Sequence, residues 1–171
     1  MVSNRILDEL NKQILLEGDS SQTYLAMASW AEGEGYNGIV NFLYSHSDEE
    51  RGHMLKLIRY VNDRGGKADI PAFVKPVSEY NSISEMFQSL LDHERQVTEN
   101  INRLVSVCIE EKDFTTHNFL QWYVAEQIEE ETLAKTIMDK LKLIGSDKAG
   151  LYLFDRDIET LTAPKKDAGL Y

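Results

Sequence analysis

The sequence predicts an all-α fold: a four-helix bundle with one long crossover between its second and third helices, plus a short fifth helix near the C-terminal end. Three observations carry this prediction. Apolar residues recur at alternating steps of three and four over four long stretches, the spacing of one helix face. Of the 3 prolines, Pro71 and Pro76 share one segment and Pro164 lies near the end, so the long stretches contain none. The breaks between stretches are short except at the Pro71–Pro76 segment, and short connections make antiparallel neighbours.

The first helix is expected over about 5–33, with Leu10, Ile14, Tyr24, Ala28 and Ala31 on one face, and it stops at GEGYNG. The second, about 39–64, carries Ile39, Leu43, Leu57 and Val61. The segment GGKADIPAFVKPVSEYNS follows. At ~3.3 Å per residue its roughly 17 residues could extend over about 50 Å, the length of a bundle of helices about 40 Å long. The second and third helices can therefore run parallel. Ser82 with Glu85 forms a capping-box signature for a third helix over about 83–111, whose stripe is Phe87, Leu90, Val97, Ile101, Leu104 and Cys108. After the break EKDFTT, a fourth helix over about 116–144 presents Phe119, Tyr123, Leu133 and Ile137, and Gly145 ends it. A short helix over about 147–161 has Leu151, Phe154, Ile158 and Leu161 on one side, leaving a tail, 162–171.

With 171 residues the chain is expected to form one domain with a sizeable core. Cys108 is the only cysteine, which excludes a disulfide framework and a four-cysteine metal site and fits a reducing compartment. No apolar signal core or membrane-length segment is visible, so a cytoplasmic protein is expected. The net charge of −11 disfavours nucleic acid and anionic membranes as partners, since phosphate binding relies on Lys and Arg. Cations are the more natural ligands.

Each long helix interrupts its own apolar stripe with acid. In SHSDEERGHM, Glu50 and His53 stand one turn apart on the buried face of the second helix. Glu17 does the same in the first helix and Glu94 in the third, while Glu126, Gln127 and Glu130 share the fourth. Glu17, Glu50, Glu94 and Glu126 all fall near mid-helix and are expected to converge on one level. A single buried Glu would be unusual; several cost several kcal/mol each, about what a multivalent cation must offset. Carboxylates with one imidazole suit iron or manganese rather than copper(I) or structural zinc, and two metals are needed to engage so many. Glu50 can bridge them.

The segments QILLEGDSSQTY, DEERGHM, LLDHERQVTENIN and NFLQWYVAEQIEEE resemble the four helical signatures of the non-haem bacterial ferritins, and the similarity continues through GLYLFDRDIETL. Ferritin-like di-iron bundles are a described architecture, with Glu-x-x-His on two helices. Here that motif occurs once, as Glu50 and His53, with Gln127 and Glu130 in the other place, which is the ferritin variant. The resemblance implies an iron-storage protein that oxidises Fe(II) with dioxygen or hydrogen peroxide at a di-iron ferroxidase centre. It implies mineral storage within a homo-oligomeric shell of twenty-four subunits. Residue by residue, it assigns Glu17, Glu50 and His53 to the first iron. Glu50, Glu94 and Glu130 go to the second, with Gln127 beside them, and Glu49, Glu126, Glu129 and Glu130 to a third iron. Tyr24 and Trp122 match aromatics near the centre that are regarded as electron donors. No haem is expected, since the haem-ligating methionine of bacterioferritins is replaced by Arg51. A non-catalytic shell subunit and another ferritin-like di-iron oxidase or peroxide reductase are the alternatives. His46, His93 and His117 read as packed or solvated histidines.

Overall fold

In the computed structural model, which describes residues 2–161, four long helices run as α1 Asn4–Gly33, α2 Gly38–Asp63, α3 Ile83–Glu110 and α4 Phe114–Ile144. A short α5, Lys148–Asp157, is followed by a 3-10 turn, Ile158–Thr160. The expected tail, 162–171, lies outside the described residues. Caps explain most boundaries. The Ser3 hydroxyl accepts from the Ile6 amide at 3.2 Å, and the Ser82 hydroxyl from Glu85 at 3.1 Å, while Glu85 reaches back to the Asn81 amide at 2.7 Å. The fourth helix starts two residues earlier than its apolar period suggests, because Asp113 is its cap and accepts from the Thr116 amide at 3.0 Å. Arg64, at the end of α2, pairs with the same Asp113 at 3.2 Å.

Directions follow from side-chain pairings. Arg5 meets Glu110, Arg103 meets Glu9 and Tyr24 meets Glu94, so α1 and α3 are antiparallel. The short 34–37 connection makes α1 and α2 antiparallel as well. It follows that α2 runs parallel to α3, and residues 64–82 form the long crossover that this requires.

The apolar interior is divided in two. One cluster contains Tyr24, Met27, Ile39, Leu43, Phe87 and Ile137, the other Ile6, Leu10, Leu57, Ile101, Leu104 and Leu120. Each fully buried side chain of this kind stabilises the fold by about 1.5–3 kcal/mol. Between the clusters lies a buried polar layer that includes Gln13, Glu17, Ser21, Ser47, Glu50, His53, Glu94, Gln127 and Glu130. The four helices thus deliver their polar interruptions to one level. No helix among the described residues is long and apolar enough to cross a membrane.

Helix α2 has no side-chain cap of its own, because Asn37 makes no such bond. Its first amides are taken by α5 instead: Asp155 accepts from Asn37 at 3.2 Å and from Ile39 at 2.9 Å. Gly38 permits this approach, since a Cβ there would stand 1.8 Å from the Asp155 carbonyl oxygen. Asp155→Ala should therefore lower stability by about 1 kcal/mol, read by denaturant unfolding, and loosen α5 before the bundle, read by limited proteolysis. Unchanged stability and proteolysis would show that α5 is held by its apolar face alone.

Candidate metal centre

The polar layer is built from helix positions, not loops. Glu17 comes from α1, Glu50 and His53 from α2, Glu94 from α3, and Gln127 and Glu130 from α4, and all six are buried. Close approach of α1 and α2 here depends on small residues. The Ser21 and Ser47 hydroxyls each donate to the other's carbonyl at 2.8 Å. Beside Glu17, Gly18 leaves room for the Phe73 ring of the crossover, which a Cβ would meet at 2.2 Å.

His53 Nδ1 lies 3.4 Å from Glu50 Oε2 and 3.7 Å from Glu17 Oε2. One potential ligand atom from each of the three residues lies within 4.8 Å of the others. Surrounding donors orient this set. Gln13 Nε2 donates to Glu17 Oε1 at 2.9 Å, and the Tyr123 hydroxyl donates to the His53 carbonyl at 2.8 Å. Both Glu94 oxygens are engaged: Oε1 accepts from the Tyr24 hydroxyl, and Oε2 from Gln127 Nε2 at 3.0 Å. The Trp122 ring stands edge-on to His53 at 5.1 Å and carries the Lys56 ammonium 3.1 Å from its centre, a cation–π contact.

One expectation changes. Glu126 does not join Glu17, Glu50 and Glu94 inside the bundle. The buried stripe of α4 runs Thr116, Leu120, Tyr123, Gln127, Glu130, Ala134, Ile137, so Glu126 turns about 100° away and is only half-buried. Its carboxylate instead gathers with exposed Glu49 and with His53. Trp122, although 39 % exposed, stands beside His53 at the centre, as the resemblance implies. Glu129 is partly buried and enters no such grouping among the described residues. Sequence reasoning passed over Gln13, although a polar residue one turn before Glu17 on a buried stripe is the same signal as Glu17 itself. It also set His46 aside, and the structure places His46 with Glu49 and Glu130.

Charge compensation within the layer is incomplete. Burial raises the Glu50 and Glu94 carboxyls above their ordinary values, and for Glu50 the neighbouring Glu17 and Glu94 charges add to this. Burial, then Glu94 and Glu49, push Glu130 up to about 8. At His53 burial works toward the neutral ring, but hydrogen bonds and charge from Glu17 and Glu50 prevail and raise it to about 11. The metal-free layer therefore holds protons that the unfolded chain releases. Glu130 binds more proton in the folded state between its ordinary 4.5 and about 8, so its contribution is full below 4.5 and is lost as pH rises through 8. Metal-free protein should lose stability across that window, by at most about 1.4 kcal/mol per pH unit per group, and Glu130→Gln should flatten the decline. Denaturant unfolding as a function of pH measures both, and a stability that rises equally in the two proteins would contradict the account.

The family model for the ferritin-like domain matches residues 7–144. A bacterial non-haem ferritin-like protein of Haemophilus influenzae is 44% identical over 162 residues, covering 95% of this chain and 98% of that protein. A bacterial non-haem ferritin of Escherichia coli is 40% identical over 161 residues, covering 94% of this chain and 98% of its own. Among solved structures, an open-pore ferritin from the hyperthermophilic archaeon Archaeoglobus fulgidus superposes with a TM-score of 0.91 at 41% identity, covering 93% of this chain and 98% of that one. A family model over most of the chain, relatives at 40% identity or more matched almost end to end, and a shared fold show that the chain belongs to the ferritin family, among the bacterial non-haem ferritins.

Proposed function

We propose that this chain stores iron, oxidising Fe(II) at a paired site within each subunit and keeping the ferric product as mineral inside a hollow homo-oligomeric shell. The observation that carries this reading is the buried set Glu17, Glu50 and His53, with Glu94 and Glu130 on the facing helices. Glu17, Glu50 and His53 Nδ1 hold the first Fe(II). Glu50, Glu94 and Glu130 hold the second, and Gln127 positions Glu94. Iron here is substrate: each ion gives up one electron, and dioxygen or hydrogen peroxide accepts the two together. The protein's part is to bring two cations together in a dry layer, to give up the His53 and Glu130 protons as they enter, and to release the product. Tyr24, whose hydroxyl donates to Glu94, is placed to supply a further electron.

The shell reading, with twenty-four subunits, draws support from apolar side chains that one subunit leaves uncovered. Tyr152 and Leu143 are 71% and 88% exposed beside α5, and Ile70, Val74 and Val77 line the outside of the crossover. A cytoplasmic location fits the acidic composition and the single buried thiol. A third iron position beside the pair uses Glu49, Glu126, Glu129 and Glu130. The acids of AEQIEEE, with Glu49 next to Glu50, exceed what two irons engage.

Glu50→Ala and His53→Ala should each reduce initial Fe(II) oxidation to the rate of free Fe(II) in the same buffer while leaving an assembled shell; unchanged initial rates in both would refute the pair. Glu129→Ala should lower bound iron from about three to about two per subunit and alter oxygen consumed per iron without stopping oxidation. Equal iron in wild type and variant, counted in oxidised mineral-free crystals, would remove that third position.

A further inference from the structure

Helices α3 and α4 meet in a four-cornered polar contact beside the paired site. Glu94 and Thr98 stand one turn apart on α3, and Gln127 and Glu131 one turn apart on α4. Two hydrogen bonds cross between the helices. Gln127 Nε2 donates to Glu94 Oε2 at 3.0 Å, and the Thr98 hydroxyl donates to Glu131 Oε1 at 2.6 Å. A third contact joins these two, because Gln127 Nε2 also donates to Thr98 Oγ1 at 3.3 Å. The four side chains therefore form one chain, Glu131–Thr98–Gln127–Glu94, which starts at a partly buried acid and ends on a carboxylate that is 1% exposed.

The single hydrogen of the Thr98 hydroxyl fixes the direction of this chain. It lies on Glu131, so Thr98 Oγ1 can only accept from Gln127, and the amide must present its NH2 group to α3. The Glu94 carbonyl, 3.2 Å from the same Nε2, sets the same requirement. An amide turned end over end would bring its oxygen against the Glu94 carboxylate and the Thr98 lone pairs, with no hydrogen between them. Glu131 is the outer anchor: among the described residues its carboxylate is engaged by Thr98 alone.

We propose that Thr98 and Glu131 are positioning residues for the paired site: they hold the Gln127 amide with its N–H groups against Glu94 and so fix the carboxylate that the second cation meets. Tyr24 holds the other oxygen, Oε1, so the Glu94 carboxylate cannot rotate without breaking a bond at each end. This role rests on the proposed function, since it needs a cation at Glu94, and it adds two residues that touch neither cation. Outer partners of this kind change metal affinity by about 10–100-fold when they are removed. Glu17 and His53 lie outside the chain, so the effect should fall on the second position.

The test uses assembled metal-free wild type, Thr98→Val, which removes the hydroxyl at nearly constant volume, and Thr98→Ser, which keeps it. Crystals equilibrated at graded Zn(II), which undergoes no oxidation, give by anomalous scattering the concentration that half-fills each position, and denaturant unfolding gives the stability. In Thr98→Val the ion between Glu50, Glu94 and Glu130 should need about tenfold more zinc, with the ion on His53 filling as in wild type; Thr98→Ser should match wild type at both. Glu131→Ala should shift the same position in the same direction, and it decides the matter if Thr98→Val does not assemble. A contact that serves stability alone predicts weaker folding with both positions filling as in wild type. That result, equal weakening at both positions, or a Thr98→Ser as weak as Thr98→Val would overturn this inference and leave the proposed function standing. Wild-type crystals with no zinc at the pair would overturn both.

Discussion

Buried negative charge without a matching cation is the constraint on which the structure turns. Glu17, Glu50, Glu94 and Glu130 meet one imidazole in a layer that water scarcely reaches. Taking a carboxylate out of water costs several kcal/mol, and one protonated His53 offsets only part of that cost. Such a layer persists because the two apolar clusters above and below it clamp the same four helices. It also explains why protons occupy the layer in the absence of metal and why cations entering it must displace them.

The carboxylates are not held alike. Glu17 and Glu94 are tied down by Gln13, Tyr24 and Gln127. Glu130 accepts from no donor among the described residues and can turn toward or away from the proposed pair without breaking a hydrogen bond. In a protein that must pass its product onward, a fixed carboxylate suits capture and an untied one suits transfer. The rigid side of the centre is built on the α1–α2 contact, where Ser21 and Ser47 draw the backbones together and Gly18 admits Phe73. A looser pairing of these helices would spread Glu17 away from His53.

Much of this was legible in the sequence because apolar periodicity and its interruptions are local signals. The stripes of α1 and α3, with Glu17 and Glu94 inside them, needed only a three-and-four count. In α4 that count is ambiguous, since Glu126, Glu129, Glu130 and Glu131 spread over about 200° of the helix, and it gives Glu126 an inward place that Gln127 and Glu130 take. Other features are fixed only by contacts between distant segments. Asp155 caps a helix that begins more than a hundred residues earlier, and the ring orientation of His46 depends on a carbonyl one turn away and a carboxylate on another helix. No spacing rule carries that information.

The account is tested most directly by anaerobic Fe(II) titration of metal-free assembled protein, followed by admission of oxygen and measurement of the initial oxidation rate at each loading. A centre that captures iron in pairs predicts a fast phase whose amplitude grows until about two Fe(II) per subunit and then stops growing. Oxidation at the rate of free Fe(II), with no break as loading increases, would contradict it.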